Sequence, residues 1–166
     1  MENPVTIRPA LETDLGAITD IYNDAVLTTT ATFDTEPKSA AEQLAWFQSH
    51  GGRFAVLVAA QDGVVVGWTS LSRWSDRPAY DGTAETSVYV KREYRGRGIG
   101  RQLEEAIIYK ARNSRFHTLI ARIAGESTES LRLHEKLGFV HIGTMKEVGL
   151  KFGRLLDVHM LQKMLD

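Results

Sequence analysis

Apolar and polar residues alternate, or apolar residues run together, in several short stretches of the chain. Bounded by turn residues, these stretches predict strands at residues 5–10, 54–60, 64–74, 83–90, 117–123, 140–150 and 154–165. The last of them is also compatible with a helix. Apolar residues at helical spacing predict helices at residues 11–26, 41–50, 98–112 and 127–139. The order β-α-α-β-β-β-α-β-α-β-β predicts a mixed α/β sheet with crossover helices.

Local signals refine these elements. Ser39 and Glu42 stand at capping-box spacing before the second helix. The turn residues 61–63 lie between two apolar runs and indicate a hairpin, and Gly138 is placed to end the last helix. One face of the 98–112 helix is predicted to carry Ile99, Leu103, Ala106, Ile107 and Lys110.

Composition limits the classes of function. The 166 residues suit one domain, taken as 1–166, and a net charge of -1 gives no global attraction for nucleic acid or an anionic membrane. The chain has no cysteine, so a disulfide, a thiolate metal site and a Cys nucleophile are excluded. His50, His117, His141 and His159 lack metal-ligand spacing, so no metal is expected. Without a signal peptide or a membrane-length apolar run, we expect a cytoplasmic protein.

A cluster of arginines and glycines joins the 83–90 strand to the 98–112 helix. It comprises Arg95, Gly96, Arg97, Gly98, Ile99, Gly100 and Arg101. The first turn of a helix offers unpaired N–H groups, and glycines allow an anion to approach them. Guanidinium groups suit phosphate oxygens, so a diphosphate site is predicted, with a solvated basic turn as the alternative. The glycine spacing fits neither a P-loop nor a dinucleotide fingerprint.

The stretch "YRGRGIGRQL" resembles the acetyl-CoA signature of the GNAT acetyltransferase superfamily, with Arg95, Gly98 and Gly100 in its fixed places. Four further stretches resemble the phosphinothricin and methionine sulfoximine acetyltransferase branch, which includes arsinothricin acetyltransferases. They are "IYNDAV", "FDTEP", "RPAYDGTAETSVYV" and "SLRLHEKLGF". The resemblance runs in matching order from about residue 7 to about residue 161. It implies a mostly antiparallel sheet of about seven strands, splayed in the middle and flanked by about four helices.

The resemblance also implies where acetyl-CoA binds. Backbone groups of Val88, Tyr89 and Val90 would pair with the pantetheine arm in the splay, and the 95–101 turn would hold the diphosphate. Ser127 and Ser130 would lie beside the arm. The branch usually has asparagine where Ser127 stands, so that contact is shortened here.

Two residues are candidates for catalysis. Glu85 is a carboxylate in an otherwise apolar strand, which is costly unless it is paired or solvated, and the resemblance implies a general base there. His134 stands where the branch has histidine and many relatives have tyrosine, which is assigned to protonating the CoA thiolate. A packing role is the alternative for His134, and an exposed edge-strand carboxylate is the alternative for Glu85.

The acceptor pocket is expected to contain two arginines upstream of Glu85, which suit a carboxylate-bearing substrate. The expected pocket residues are Phe33, Arg73, Arg77, Tyr80, Lys151 and Phe152. The resemblance implies a homodimer in which Lys151 and Phe152 come from the partner subunit.

The resulting hypothesis is acetyl transfer from acetyl-CoA to the α-amine of a small glutamate-like amino acid analogue, by direct attack. Three alternatives stay open: acetylation of protein or peptide amines, an acyl-CoA sensor without catalysis, and an unrelated nucleotide-binding domain. The spacing of the glycines disfavours the last of these.

Overall fold

The computed structural model describes residues 2–166 and contains the predicted order of strands and helices. The strands are β1 (Thr6–Pro9), β2 (Val56–Gln61), β3 (Val64–Arg73), β4 (Thr83–Val90), β5 (Thr118–Ala124), β6 (Val140–Lys151) and β7 (Arg154–Met164). The helices are α1 (Leu15–Thr28), α2 (Ala40–Gln48), α3 (Ile99–Asn113) and α4 (Thr128–Lys136). Short 3-10 turns occupy Glu12–Asp14, Pro78–Tyr80 and Arg92–Tyr94.

The seven strands form one sheet in the order β1-β2-β3-β4-β5-β7-β6. Neighbouring strands are antiparallel except β4 and β5, which run parallel. These two strands pair only where Thr83, Ala84 and Glu85 face Thr118, Leu119 and Ile120. Beyond Glu85 the strands separate, so the sheet is split by a wedge that opens toward the carboxyl end of β4. The predicted splayed sheet is confirmed.

Helices cover both faces of the sheet on the β1–β4 side. On one face, Ile99 and Leu103 of α3 pack against Ala59 and Val66. On the other face, side chains of α1 pack against β2 and β3, in a cluster that includes Ile18, Ile21, Val56, Val58 and Trp68. Alternation along β2 divides its residues between these two clusters. This double layer fixes β4 at the side of the wedge nearest α3.

The local signals of the sequence are confirmed at three places. The Ser39 hydroxyl accepts a bond from the Glu42 amide at 3.2 Å, and the Glu42 carboxylate accepts one from the Ser39 amide at 2.7 Å. Asp62 and Gly63 form the hairpin turn with φ of 51° and 78°. The chain leaves α4 through Gly138, whose φ is 89°. The ambiguous last segment is strand β7.

One detail of the predicted α3 face is wrong. Lys110 is exposed, whereas Glu104 is fully buried. Glu104 follows Leu103 on the side of α3 that meets β3 and β4, where the hydroxyls of Thr69 and Thr86 donate hydrogen bonds to its carboxyl group. Among residues 2–166, no helix combines the length and the apolar character needed to cross a bilayer.

Candidate active site

Three adjoining cavities follow the wedge from α3 to the loop after α1. The turn cavity, of about 270 Å³, lies between the residue 95–101 turn and α4. The wedge cavity, of about 140 Å³, lies between β4 and β5. The loop cavity, of about 440 Å³, is lined by residues 31–34, by β4 and β5, and by β6 and β7. Val88 and Ser130 line both the turn and wedge cavities, and Glu85 and Arg122 line both the wedge and loop cavities. The three cavities are therefore neighbours along the wedge.

The turn before α3 presents its backbone N–H groups to the turn cavity. Gly96 and Gly98 have φ of 75° and 79°, in the left-handed region that favours glycine. A Cβ added at either glycine would meet no atom within 4 Å, so their role is conformational. Within the part of the chain that the structure describes, the amides of residues 96–101 donate to no protein acceptor, and the Gln102 amide makes the first helical bond, to Gly98 at 3.1 Å. Six consecutive donors and the positive end of α3 are available to an anion.

The arginines of the turn divide into two groups. Arg95 and Arg101 line the turn cavity. The Arg95 Nε donates to the Val90 carbonyl at 3.1 Å, and Arg101 pairs with Glu105 at 2.8 Å. The Arg97 side chain instead pairs with Glu2 at 3.0 Å and lies over the ring of Tyr94. The expectation that all three guanidinium groups surround one anion stays a prediction, and the turn directs the Arg97 side chain toward the N-terminal segment.

Strand β4 offers one free edge to the wedge. The Lys91 amide donates to the Val66 carbonyl of β3 at 2.8 Å. Backbone groups of an antiparallel strand alternate in direction, so those of Val88 and Val90 point to the opposite edge, where β5 has moved away. An extended chain of amides can add to this edge as a strand would. Ser127 and Ser130 line the wedge beside it, as expected.

Side chains of β4 alternate between the two sides of the wedge. Val88 and Val90 face the turn cavity, whereas Glu85, Ser87 and Tyr89 line the loop cavity. The Tyr89 ring stacks on Trp68 at a centroid distance of 5.0 Å, and burial raises the pKa of its hydroxyl to about 12. Tyr89 is therefore a neutral wall of the loop cavity at physiological pH.

Glu85 and Arg122 form an ion pair where β4 and β5 separate. The Arg122 Nη2 donates to Glu85 Oε1 at 2.8 Å, and the Arg122 Nε donates to Glu85 Oε2. The Glu85 side chain is only 15% exposed, against 52% for Arg122. The hydrogen bonds that Arg122 donates to Glu85 raise the pKa of Arg122, so this guanidinium stays charged. Sequence reasoning missed Arg122, although an isolated charge in the apolar stretch "HTLIARI" is the same signal that identified Glu85.

His134 is buried on the α4 side of the wedge, and it lines the wedge cavity. Its Nδ1 lies 2.7 Å from the Ser130 carbonyl, which can only accept, so Nδ1 carries a proton. The Nε2 atom lies 3.6 Å from Oε2 of the buried Glu104. Glu104 Oε1 accepts a bond from Thr86 at 2.9 Å, and burial raises the pKa of the Glu104 carboxyl. The burial of Glu104 beside His134 was not predicted, because nothing in the sequence distinguishes Glu104 from the adjacent Glu105 as the buried residue.

Phe33 lines the loop cavity, as expected. It packs so closely on Gly149 of β6 that a Cβ there would lie 2.3 Å from the ring. Lys151 is buried, and its ammonium donates to the Thr32 carbonyl of the same chain at 2.7 Å. Burial lowers the pKa of Lys151. The expectation that Lys151 borders the acceptor site of a partner subunit stays a prediction, and within the single chain its own loop holds this side chain. Phe152 is exposed and lines none of the three cavities.

Three other expected pocket residues lie elsewhere. Arg73, Arg77 and Tyr80 are exposed and line none of the three cavities. Arg73 ends β3, pairs with Asp81 at 3.5 Å and lies over the ring of Phe54. Proximity in sequence to Glu85 was misleading. Arg73 lies opposite Ala84 of β4 and so points to the sheet face away from Glu85, whereas Arg77 and Tyr80 lie in the loop before β4. Arg122, from the neighbouring strand, lines the loop cavity instead.

The residues that the structure describes contain no cluster of three or more His, Asp or Glu side chains able to hold a metal ion. A family model described as "Acetyltransferase (GNAT) family" matches residues 18–139. The chain belongs to this GNAT family. The matched region includes the turn, the wedge and both candidate catalytic residues.

Curated GNAT relatives match nearly the whole chain. The L-amino acid N-acyltransferase MnaT of Escherichia coli is 39% identical, and the match covers 98% of this chain and 95% of MnaT. The phosphinothricin N-acetyltransferase of Streptomyces coelicolor is 40% identical, with 93% and 92% covered. The L-methionine sulfoximine/L-methionine sulfone acetyltransferase of Salmonella typhimurium is 39% identical, with 98% and 95% covered.

Solved GNAT structures have the same fold. The acetyltransferase yncA of Salmonella typhimurium, solved with acetyl-CoA, superimposes with a TM-score of 0.95 at 39% identity, covering 99% of this chain and 95% of that one. A phosphinothricin acetyltransferase of Sinorhizobium meliloti, also solved with acetyl-CoA, gives 0.94 at 37% identity, with 97% and 88% covered.

Proposed function

We propose that this enzyme transfers an acetyl group from acetyl-CoA to the α-amine of a small amino acid analogue of the phosphinothricin, methionine sulfoximine or arsinothricin type. The observation that carries the proposal is the position of Glu85. Its carboxylate lies in the wall shared by the wedge cavity and the loop cavity. A proton acceptor thus stands where a donor arriving through the wedge would meet an amine held in the loop cavity.

The residues present fit acetyl-CoA. The free amides of residues 96–101, with Arg95 and Arg101, suit its diphosphate. The free edge of β4 at Val88 and Val90 suits the two amides of its pantetheine arm, which would add as a strand. The narrow wedge then leads the thioester toward Glu85.

The transfer is a direct attack on the thioester. Glu85 accepts a proton from the acceptor's ammonium and passes it to solvent, and the free amine attacks the carbonyl carbon. The Val88 N–H points into the wedge and stabilises the oxyanion. As the C–S bond breaks, the electron pair goes to sulfur and His134 supplies the proton that yields the thiol. The attacking nitrogen loses its second proton to solvent, and His134 regains a proton from solvent. One proton is released for each acetyl group transferred.

Several features support a small acceptor. The loop cavity, of about 440 Å³, has the size of an ordinary small-molecule site. Its lining combines the Glu85–Arg122 pair with Phe33 and other apolar side chains, so a charged head group and a short side chain can be held together. The curated relatives are named for amino acids or their analogues as acceptors.

Thiol release from acetyl-CoA tests the function. The purified enzyme is mixed with acetyl-CoA and, in parallel, with L-methionine sulfoximine, phosphinothricin, L-methionine or arsinothricin. We expect release above the hydrolysis rate with at least one of these compounds and the N-acetyl product by mass spectrometry. Tight acetyl-CoA binding without thiol release for any amine would instead show an acyl-CoA sensor.

A peptide amine is the second candidate acceptor. A Brucella melitensis structure titled as a ribosomal-protein-alanine N-acetyltransferase superimposes with a TM-score of 0.92 at 40% identity, covering 96% of this chain and 99% of that one. The same thiol-release measurement with an alanine-terminated peptide separates the two candidates. Faster turnover of the peptide than of every free amino acid would favour it.

We also propose a homodimer acting in the cytoplasm, where acetyl-CoA is expected to be supplied. Strand β6 is an edge of the sheet and exposes a row of apolar side chains. They are Val140, Ile142, Met145, Val148 and Leu150. An exposed apolar row on an edge strand is typical of a covered surface. Sedimentation velocity would show a monomer if this is wrong.

A further inference from the structure

The proposed base is bound to a guanidinium before any substrate arrives. Both oxygens of Glu85 accept bonds from Arg122, which comes from the opposite strand of the wedge. Such a two-point pair occupies both of the oxygens that would take a proton. An acceptor must therefore disturb this pair before Glu85 can act as a base.

We propose that Arg122 binds the α-carboxylate of the acceptor, and that this exchange of partners frees Glu85 to take the ammonium proton. The inference rests on the proposed function and names the feature of the acceptor that the site requires. The amino acid's ammonium lies at Glu85 and its carboxylate at Arg122, so the head group matches both charges.

The charges of the loop cavity favour Arg122 for this role. Three residues of its lining are charged: Asp34, Glu85 and Arg122. Asp34 accepts a bond from Tyr22 and lies 3.7 Å from the ammonium of Lys38. The buried Lys151 donates to Thr32, and Arg73 is paired with Asp81. The remaining cation facing an acceptor in this cavity is Arg122.

Arg122 is also placed to receive a second carboxylate. Its side chain is 52% exposed, whereas that of Glu85 is 15% exposed, so the guanidinium faces the cavity and the carboxylate lies behind it. The guanidinium carries five N–H donors, and the bonds to Glu85 use two of them. A carboxylate can dock on the free donors before Glu85 is released. The guanidinium lies 5.8 Å from the Trp74 ring centroid, which limits its movement.

The exchange predicts selectivity against amines that lack a carboxylate. An amino acid replaces one carboxylate on Arg122 by another, so the guanidinium never loses a charged partner. An amine without a carboxylate has to separate Glu85 from Arg122 with no replacement. The ammonium proton moves to Glu85 and then to solvent, while Arg122 keeps all of its protons.

The test compares L-methionine sulfone with its methyl ester, in the wild type and in Arg122→Met. For each enzyme, kcat/KM for the acid is divided by kcat/KM for the ester. The two amines differ in intrinsic reactivity by the same factor in every enzyme, so a change in this ratio reports the contact to the carboxylate. We expect this ratio to fall about tenfold or more in Arg122→Met, the usual loss for one charged hydrogen-bonded contact. The activity toward the ester should stay level or rise, because Glu85 is no longer paired.

Arg112→Met is the matched control. Arg112 is exposed at the end of α3, away from the cavities, and its replacement removes the same charge. Its acid-to-ester ratio should equal that of the wild type. Circular dichroism and cooperative thermal unfolding of all three proteins show that the variants are folded.

The outcomes distinguish a failure of the Arg122 role from a failure of the proposed function. An unchanged ratio in Arg122→Met, with the wild type active on the acid, would overturn the role of Arg122 and leave the proposed function intact. If the wild type acetylates neither compound nor any other amino acid, the proposed function itself fails. A wild type that prefers the ester would also overturn the exchange.

Discussion

Glu85 and Arg122 face each other across the line at which β4 and β5 stop pairing. Glu85 is the last residue of β4 in register with β5, opposite Ile120, and Arg122 stands two residues further along β5. Because side chains two positions apart on a strand point to the same face, Arg122 lies on the same face as Ile120 and Glu85 and projects back over Glu85. The sheet itself therefore places a carboxylate and a guanidinium together at the closed end of the wedge.

Glu85→Gln tests the carboxylate as a base. We expect turnover with L-methionine sulfoximine to fall by about a hundredfold or more, because an amide cannot take the ammonium proton. The affinity for acetyl-CoA should stay level, since the turn cavity lies away from Glu85. Glu135→Gln, which neutralises an exposed glutamate of α4, is the control. Near wild-type turnover at neutral pH in Glu85→Gln would remove this residue from the mechanism.

The divided arginines of the turn give a matched pair for acetyl-CoA binding. Arg95 lines the turn cavity, whereas the Arg97 side chain is directed to Glu2. We expect Arg95→Met to weaken acetyl-CoA binding by about tenfold, the effect of losing one charge-assisted contact to phosphate. Arg97→Met removes the same charge from the same turn and should have a much smaller effect. Isothermal titration calorimetry measures both, and equal losses would contradict the assignment.

Gly149 tests how the Phe33 loop shapes the loop cavity. In Gly149→Ala the new methyl group would overlap the Phe33 ring, so the ring must move. We expect a higher KM for the acceptor and an unchanged affinity for acetyl-CoA. Gly143→Ala, on the same strand with nothing within 4 Å of its Cβ, is the control. Adding Phe33→Leu to Gly149→Ala should restore part of the loss, and no recovery would argue against this contact.

Patterns along the chain predicted what depends on local chemistry. The order of elements, the Ser39–Glu42 capping box and the glycine turn before α3 all follow from spacing within a few residues. Partners across strands could not be predicted this way. The register of β4 against β5 decides that Glu85 meets Arg122, and one helical position decides that Glu104 is buried.

The pocket arginines show the same limit. Arg73 and Arg77 were expected near Glu85 because they precede it closely in sequence, yet Arg73 points to the other face of the sheet and Arg77 lies in the exposed loop before β4. A residue 37 positions away supplies the guanidinium instead. Short sequence separation therefore says little about which side chains share a cavity when a loop lies between them.

Glu104→Gln gives a pH test of the buried carboxyl in α3. Burial raises its pKa in the folded state, so the folded protein keeps a proton that the unfolded chain releases near pH 4.3, and folding stability falls as the pH rises above that point. Glutamine does not titrate. The Tm of Glu104→Gln relative to the wild type should therefore increase as the pH is raised above roughly pH 5. Glu135→Gln, which removes an exposed carboxylate of α4, is the control. Parallel curves for Glu104→Gln and the wild type would mean that this carboxyl does not titrate abnormally in the fold.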